Sequence, residues 1–167
     1  MRIGFAYPLL FAVKAKFTTI DIKFIDKSGI FMNTAAEIRA LLDSQPKPVC
    51  AALTPFEIIE IEAESGYVKV AFAAQPAFEN HFGNIQGGFA VSMLDVVISI
   101  AAFVKVRQWL PTVEIKTSFV APAKIATCIG EGQVIRAGRS VIFVEGKLWN
   151  ADNELAVHAT ATLIGTK

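Results

Sequence analysis

The stretch Asn80-His81-Phe82-Gly83-Asn84-Ile85-Gln86-Gly87-Gly88 runs into Phe89-Ala90-Val91-Ser92-Met93-Leu94-Asp95 and on through an apolar run to Val104. Its first nine residues are polar and glycine-rich, and the rest is apolar and of helix length. A Gly-Gly pair permits a tight turn and the close approach of another molecule. A helix starting there directs unpaired N–H groups at whatever lies before it. Asp95 is the only charge between Glu79 and Lys105. An acid on an apolar helix is costly unless it is paired or useful. From Phe89 to about Val106 the helix is apolar all round, which predicts burial on every side.

Strand patterns flank this helix. Upstream, Phe56, Ile58, Ile59 and Ile61 roughly alternate with Glu57, Glu60 and Glu62, and alternation resumes over 67–73 after Ser65-Gly66. This reads as a hairpin. Residues 75–88 read as loop. Downstream, four strands are expected at 112–120, 125–136, 140–149 and 154–164. Their turns fall at Ala121-Pro122-Ala123, Ala137-Gly138 and Asp152-Asn153. Strands that follow one another through short turns favour an antiparallel sheet. One apolar helix must then be covered by that sheet on one side and by something else on the other. A curved sheet wrapped around the helix and paired with a second subunit satisfies both demands.

The first 50 residues read as an extension with a short helix, and 51–167 as the main domain. Thr34 with Glu37 three residues on fits a capping box, Ile38, Leu41 and Leu42 make one apolar face, and Pro46 and Pro48 end the helix. Before it, the aromatic and β-branched residues around Asp26-Lys27-Ser28-Gly29 fit a hairpin or a loose segment. Residues 3–13 loosely resemble a short signal peptide, but Pro8 interrupts the run and Lys14 and Lys16 sit where a cleavage region should be small and neutral. We read an extension of unassigned role, and translation from Met32 is an alternative start.

At 167 residues the chain has room for one domain with a proper core. Hydrophobic residues make up 53% and mean hydropathy is +0.48, more apolar surface than one small core hides. An oligomer is therefore expected, since obligate interfaces resemble a core cut in half. The net charge of +1 carries no nucleic-acid footprint. Cys50 and Cys128 fit no metal or disulfide spacing and read as reduced thiols of a cytoplasmic protein. No His/Cys cluster suggests a metal, and no cofactor is implied. The apolar run 89–104 falls short of the roughly 20 residues of a membrane span.

The sequence resembles the hotdog-fold acyl-CoA thioesterases of the PaaI / 4-hydroxybenzoyl-CoA thioesterase type, over roughly 53–164. Three blocks carry the resemblance. The first is Asn80-x-x-Gly83-x-x-Gln86-Gly87-Gly88 with Leu94-Asp95 in the helix. The second is Val113-Glu114-Ile115-Lys116-Thr117-Ser118-Phe119-Val120-Ala121-Pro122-Ala123. The third is Gly132-Gln133-Val134-Ile135-Arg136-Ala137-Gly138-Arg139-Ser140-Val141, followed by 152–161 with Val157-His158-Ala159-Thr160. The chain departs from most relatives at Gln86, where they have His. The implied fold is α+β, an antiparallel sheet wrapped around one long central helix.

The resemblance implies hydrolysis of an acyl-CoA thioester to free acid and CoA. In that reading Gly87 N–H polarises the carbonyl and stabilises the oxyanion. Asp95 is general base on water or nucleophile. Gln86 orients the carbonyl or a water through its amide but cannot carry a proton as His does. Asn80 positions water or braces the loop, and Thr112 helps to hold the water. Gly88 and Phe82 line the substrate site. Arg136, Arg139 and Ser140 either hold CoA phosphates or form a solvated hairpin turn. The site is expected at the interface of a homodimer, or of a tetramer built from two dimers, with the oxyanion loop from one subunit and the acid from the other. His81 reads as loop surface or pocket lining, and His158 as a satisfied sheet histidine. The competing readings are a hotdog dehydratase, for which Gln86 is a poor proton carrier, and a non-catalytic acyl-CoA-binding module, which has no need of Asp95.

Overall fold

The computed structural model describes residues 34–165. The reading of the first 31 residues, as hairpin or signal, lies outside them. Helix α1 (Ala35–Ser44) starts where the capping box places it: Thr34 Oγ1 accepts from Glu37 N–H, and the Glu37 carboxylate accepts from Thr34 N–H. Ile38 is fully buried and Leu41 nearly so. Arg39 donates to Ile58 O at 2.9 Å, which ties the helix to the neighbouring strand.

Six strands follow in one sheet: β1 (Phe56–Glu62), β2 (Tyr67–Phe72), β3 (Thr112–Phe119), β4 (Cys128–Ala137), β5 (Val141–Trp149) and β6 (Leu155–Ile164). Their spatial order is β1-β2-β4-β5-β6-β3, and every neighbouring pair is antiparallel. Strand β4 starts at Cys128, three residues later than the pattern suggests. The Ala126 N–H bonds back to Lys124 O instead of joining the ladder. Short 3₁₀ helices at Val49–Leu53 and Pro76–Phe78 leave no periodicity in the sequence.

Helix α2 (Gly87–Val106) lies in the concave face of this sheet, crossing β2, β4 and β5. Leu94, Val97, Ile98 and Ala101 are fully buried beneath it. Leu94, Val97 and Ile98 each contribute roughly 1.5–3 kcal/mol relative to exposure. The close approach needs glycine in the strands. A Cβ on Gly132 would stand 2.4 Å from Val97 O, and one on its register partner Gly146 would meet the Ile98 side chain at 2.9 Å.

Two expectations for α2 need correcting. It has 20 residues, so length does not separate it from a membrane span; its burial against the sheet does, as the core helix of the fold. Nor is it buried on every side. Gly88 and Ser92 are exposed and Asp95, Val96 and Ser99 half-buried, at helical spacing along the side facing away from the sheet.

Candidate active site

The loop before α2 is built by its own polar residues. Asn80 Oδ1 accepts from Phe82 N–H at 2.8 Å and from Asn84 N–H at 3.2 Å. Asn80 N–H donates to Asn84 O at 2.7 Å, and Gly83 takes a positive φ of 73° to close the turn. Asn80 thus braces the loop from within. Gln86 N–H then bonds Phe78 O at 2.7 Å, and Phe78 stacks on Phe89 with ring centroids 4.0 Å apart. These contacts fix where the helix begins.

At that start Gln86 is the N-cap but makes no side-chain capping bond. Its carbonyl accepts from Phe89 N–H at 2.9 Å and Ala90 N–H at 3.2 Å. The N–H groups of Gly87 and Gly88 are the helix's unpaired donors. A Cβ on Gly87 would touch the Phe119 ring at 3.0 Å, whereas one on Gly88 would meet nothing within 4 Å. Gly87 opens on a cleft of about 540 Å³ lined also by Asn80, Phe82, Asn84, Ile85, Ala90 and Phe119, and by residues 120–123. Phe82 is 86% exposed and Phe119 58%, so the apolar wall stands open in the single chain. Gln86 is exposed and is not among the residues lining the cleft, and His81 lies on the surface.

Asp95 is absent from this cleft. It sits eight residues down the helix, roughly 12 Å along the axis. There Thr112 Oγ1 donates to Asp95 Oδ1 at 3.1 Å. Thr112 opens β3 and Phe119 closes it, so the strand's seven steps set its two ends roughly 23 Å apart. Arg136, Arg139 and Ser140 lie at the β4–β5 hairpin, beyond the Thr112 end of the sheet and away from Gly87. The candidate residues thus form two sets in one chain. Asn80, Phe82, Gln86, Gly87 and Gly88 gather at one end of β3. Asp95 and Thr112 meet at the other, with the hairpin arginines beyond.

His158 Nε2 lies 2.8 Å from Glu145 Oε1 on the outer face of the sheet, the face opposite its buried neighbours Val157 and Ala159. Among the described residues no group of three His, Cys, Asp or Glu side chains is placed to hold a metal ion.

The thioesterase superfamily model matches residues 82–157, from the glycine-rich loop before α2 through β3, β4 and β5 into β6. A protein of Saccharolobus solfataricus named as an esterase is 31% identical over 100 residues, covering 59% of this chain and 71% of that protein. The chain belongs to the thioesterase superfamily. Its fold is the hotdog fold. A Ralstonia eutropha JMP134 protein, described as a thioesterase related to phenylacetic acid degradation, superposes with a TM-score of 0.70 at 29% identity, over 77% of this chain and 98% of that one. A Streptococcus mutans protein bound to acetyl CoA superposes with a TM-score of 0.64 at 17% identity, over 74% and 96% of the two chains, a likeness of fold. Phe119, which with Phe82, Phe89 and Met93 is one of the bulky apolar residues the sequence offers for the pocket, does line the cleft, but its contact with Gly87 depends on where β3 ends, which no local signal gives.

Proposed function

We propose that this protein hydrolyses acyl-CoA thioesters at a site shared by two copies of the chain. The observation that carries the reading is the unpaired N–H of Gly87 at the start of α2, opening on a cleft beside an exposed edge strand. The binding of acetyl CoA and coenzyme A by hotdog proteins of Streptococcus mutans and Streptococcus pneumoniae supports CoA as the leaving group.

Strand β3 is the edge of the sheet, and Val113, Phe119 and Val120 are 58–64% exposed on or just beyond it. An unpaired edge of this kind invites a partner strand. If two β3 strands pair antiparallel about a two-fold axis, the Phe119 end of one meets the Thr112 end of the other. That pairing sets the Gly87 donors of one copy against Asp95 of its partner, twice per dimer. The acyl group then lies between Phe82 and Phe119, with its carbonyl oxygen on Gly87 N–H. Asp95, oriented by Thr112, either takes a proton from water as it attacks or attacks the carbonyl itself. Gln86 holds the carbonyl or the water through its amide. Arg136, Arg139 and Ser140, carried on the same copy as Asp95, are candidates for the CoA phosphates.

The test is thiol release from a panel of short-, medium-, long-chain and aryl acyl-CoAs, with wild type beside Asp95→Asn. A substrate turned over by wild type should lose at least about 100-fold in kcat with the variant. Turnover that survives the substitution sinks the role of Asp95. Binding without turnover across the whole panel would instead indicate an acyl-CoA-binding module.

A further inference from the structure

We infer that Asn150 is a positioning residue for the Gly87 donor, acting from behind the cleft wall. The inference rests on the reading of Gly87 N–H as the oxyanion donor. Asn150 follows β5 directly and is 1% exposed; Thr54 is the other buried polar residue among those described. Its amide is fully committed. Oδ1 accepts from Lys124 N–H at 2.9 Å, and Nδ2 donates to Pro122 O at 3.0 Å and to Glu154 Oε2 at 3.2 Å. Its backbone closes the β5–β6 turn as well, with Asn150 N–H on Glu154 O and Asn153 N–H on Asn150 O, both at 2.9 Å. One buried side chain therefore grips the main chain on both sides of Ala123. An amide suits this grip, since it presents an acceptor to Lys124 N–H from one atom and a donor to Pro122 O from another at once.

The segment it grips is the strip on which the oxyanion loop rests. Ala123 O accepts from Ile85 N–H at 2.7 Å, and Asn84 pairs with Lys124 in an antiparallel bridge. Ile85 is two residues before Gly87. The path from Asn150 to the donor is thus one side chain, one strand-like strip, one hydrogen bond and two residues of backbone. Releasing Asn150 lets Ala123 O drift, and Gly87 N–H drifts with it. Displacements near 1 Å cost about 100-fold in rate where geometry sets the barrier.

A brace that serves only stability would leave each folded molecule fully active. A positioning residue lowers kcat in protein that is still folded. The experiment takes the full chain with Asn150→Ala, using Asp152→Ala as control. The control removes the exposed Lys124–Asp152 ion pair of 2.6 Å from the same turn and leaves Asn150 alone. Three quantities are read: kcat and KM on a thioester that wild type hydrolyses, the melting temperature, and amide exchange across residues 85–104. The expected result is a kcat lowered about 10- to 100-fold with KM within about threefold. Exchange should quicken at Ile85 and Gln86 while residues 94–104 stay protected, and Asp152→Ala should change neither kcat nor that pattern. Should Asn150→Ala not fold, Asn150→Asp keeps the acceptor for Lys124, loses the donor to Pro122, and is read in the same way. An unchanged kcat in folded protein, or exchange that quickens evenly along the helix, overturns the inference. If wild type hydrolyses no thioester, the proposed function fails, and the exchange pattern alone decides whether Asn150 holds the loop.

Discussion

At the scale of single residues, the fold turns on what two strand glycines leave out. Gly132 and Gly146 face each other across β4 and β5, directly under α2. A methyl on Gly132 would press on the main-chain oxygen of Val97, which can move only if the helix moves. A methyl on Gly146 would press on the end of the Ile98 side chain, which can turn aside. Overpacking a core costs roughly 1–3 kcal/mol. Gly132→Ala should therefore lie at the upper end, about 3 kcal/mol, and Gly146→Ala at the lower, about 1 kcal/mol. Urea denaturation of the two variants checks the order. Equal costs would mean that the helix is free to lift from the sheet.

At the scale of elements, the two faces of the sheet do different work. The concave face holds the helix, and the convex face carries a polar network. Glu131 accepts from Tyr67 and Trp149 and pairs with Lys69, while Glu145 pairs with Lys147 and His158. The hydrogen bond from Lys147, and then that from His158, holds the Glu145 carboxyl below its ordinary range. A depressed acid contributes stability above its unfolded-state value, near 4.3, and loses it as pH falls through the folded-state value. Glu145→Gln should thus lower the melting temperature at neutral pH, and the gap to wild type should close as pH drops below about 4.3. A gap that stays constant from pH 7 to pH 3 would show that the carboxylate charge is not what the network uses. The strands of this sheet were legible from alternation, and the helix start from Gly87-Gly88, because both signals are local. Asn150 was not, because an Asn beside Asp152-Asn153 looks like an ordinary turn residue until its partners 26 and 28 residues away are in place. The separation of Asp95 from Gly87 was expected from the family resemblance alone; seeing it needs the β3–β6 register and the length of β3.

At the scale of the whole molecule, the separation of the two residue sets makes a demand on assembly. One chain carries unpaired donors at one end of β3 and a carboxylate held by a threonine at the other. On the proposed mechanism neither set hydrolyses a thioester alone. If the site is shared, two differently crippled chains should repair each other. Asp95→Asn keeps its donors, and Gly87→Val keeps its acid while its added bulk meets the Phe119 ring. Homodimers of either variant have two broken sites. A heterodimer has one site combining the intact loop of the first chain with the intact acid of the second, and one site broken twice. Random reassociation makes half the dimers mixed, so an equimolar mixture should recover about a quarter of wild-type activity. The two variants are unfolded together, refolded, and assayed for thiol release against each variant refolded alone. Recovery near a quarter requires Gly87 and Asp95 to act across the subunit boundary. No recovery from two chains that each fold and associate would place the whole reaction within a single chain, and would leave the exposed edge of β3 without a catalytic purpose.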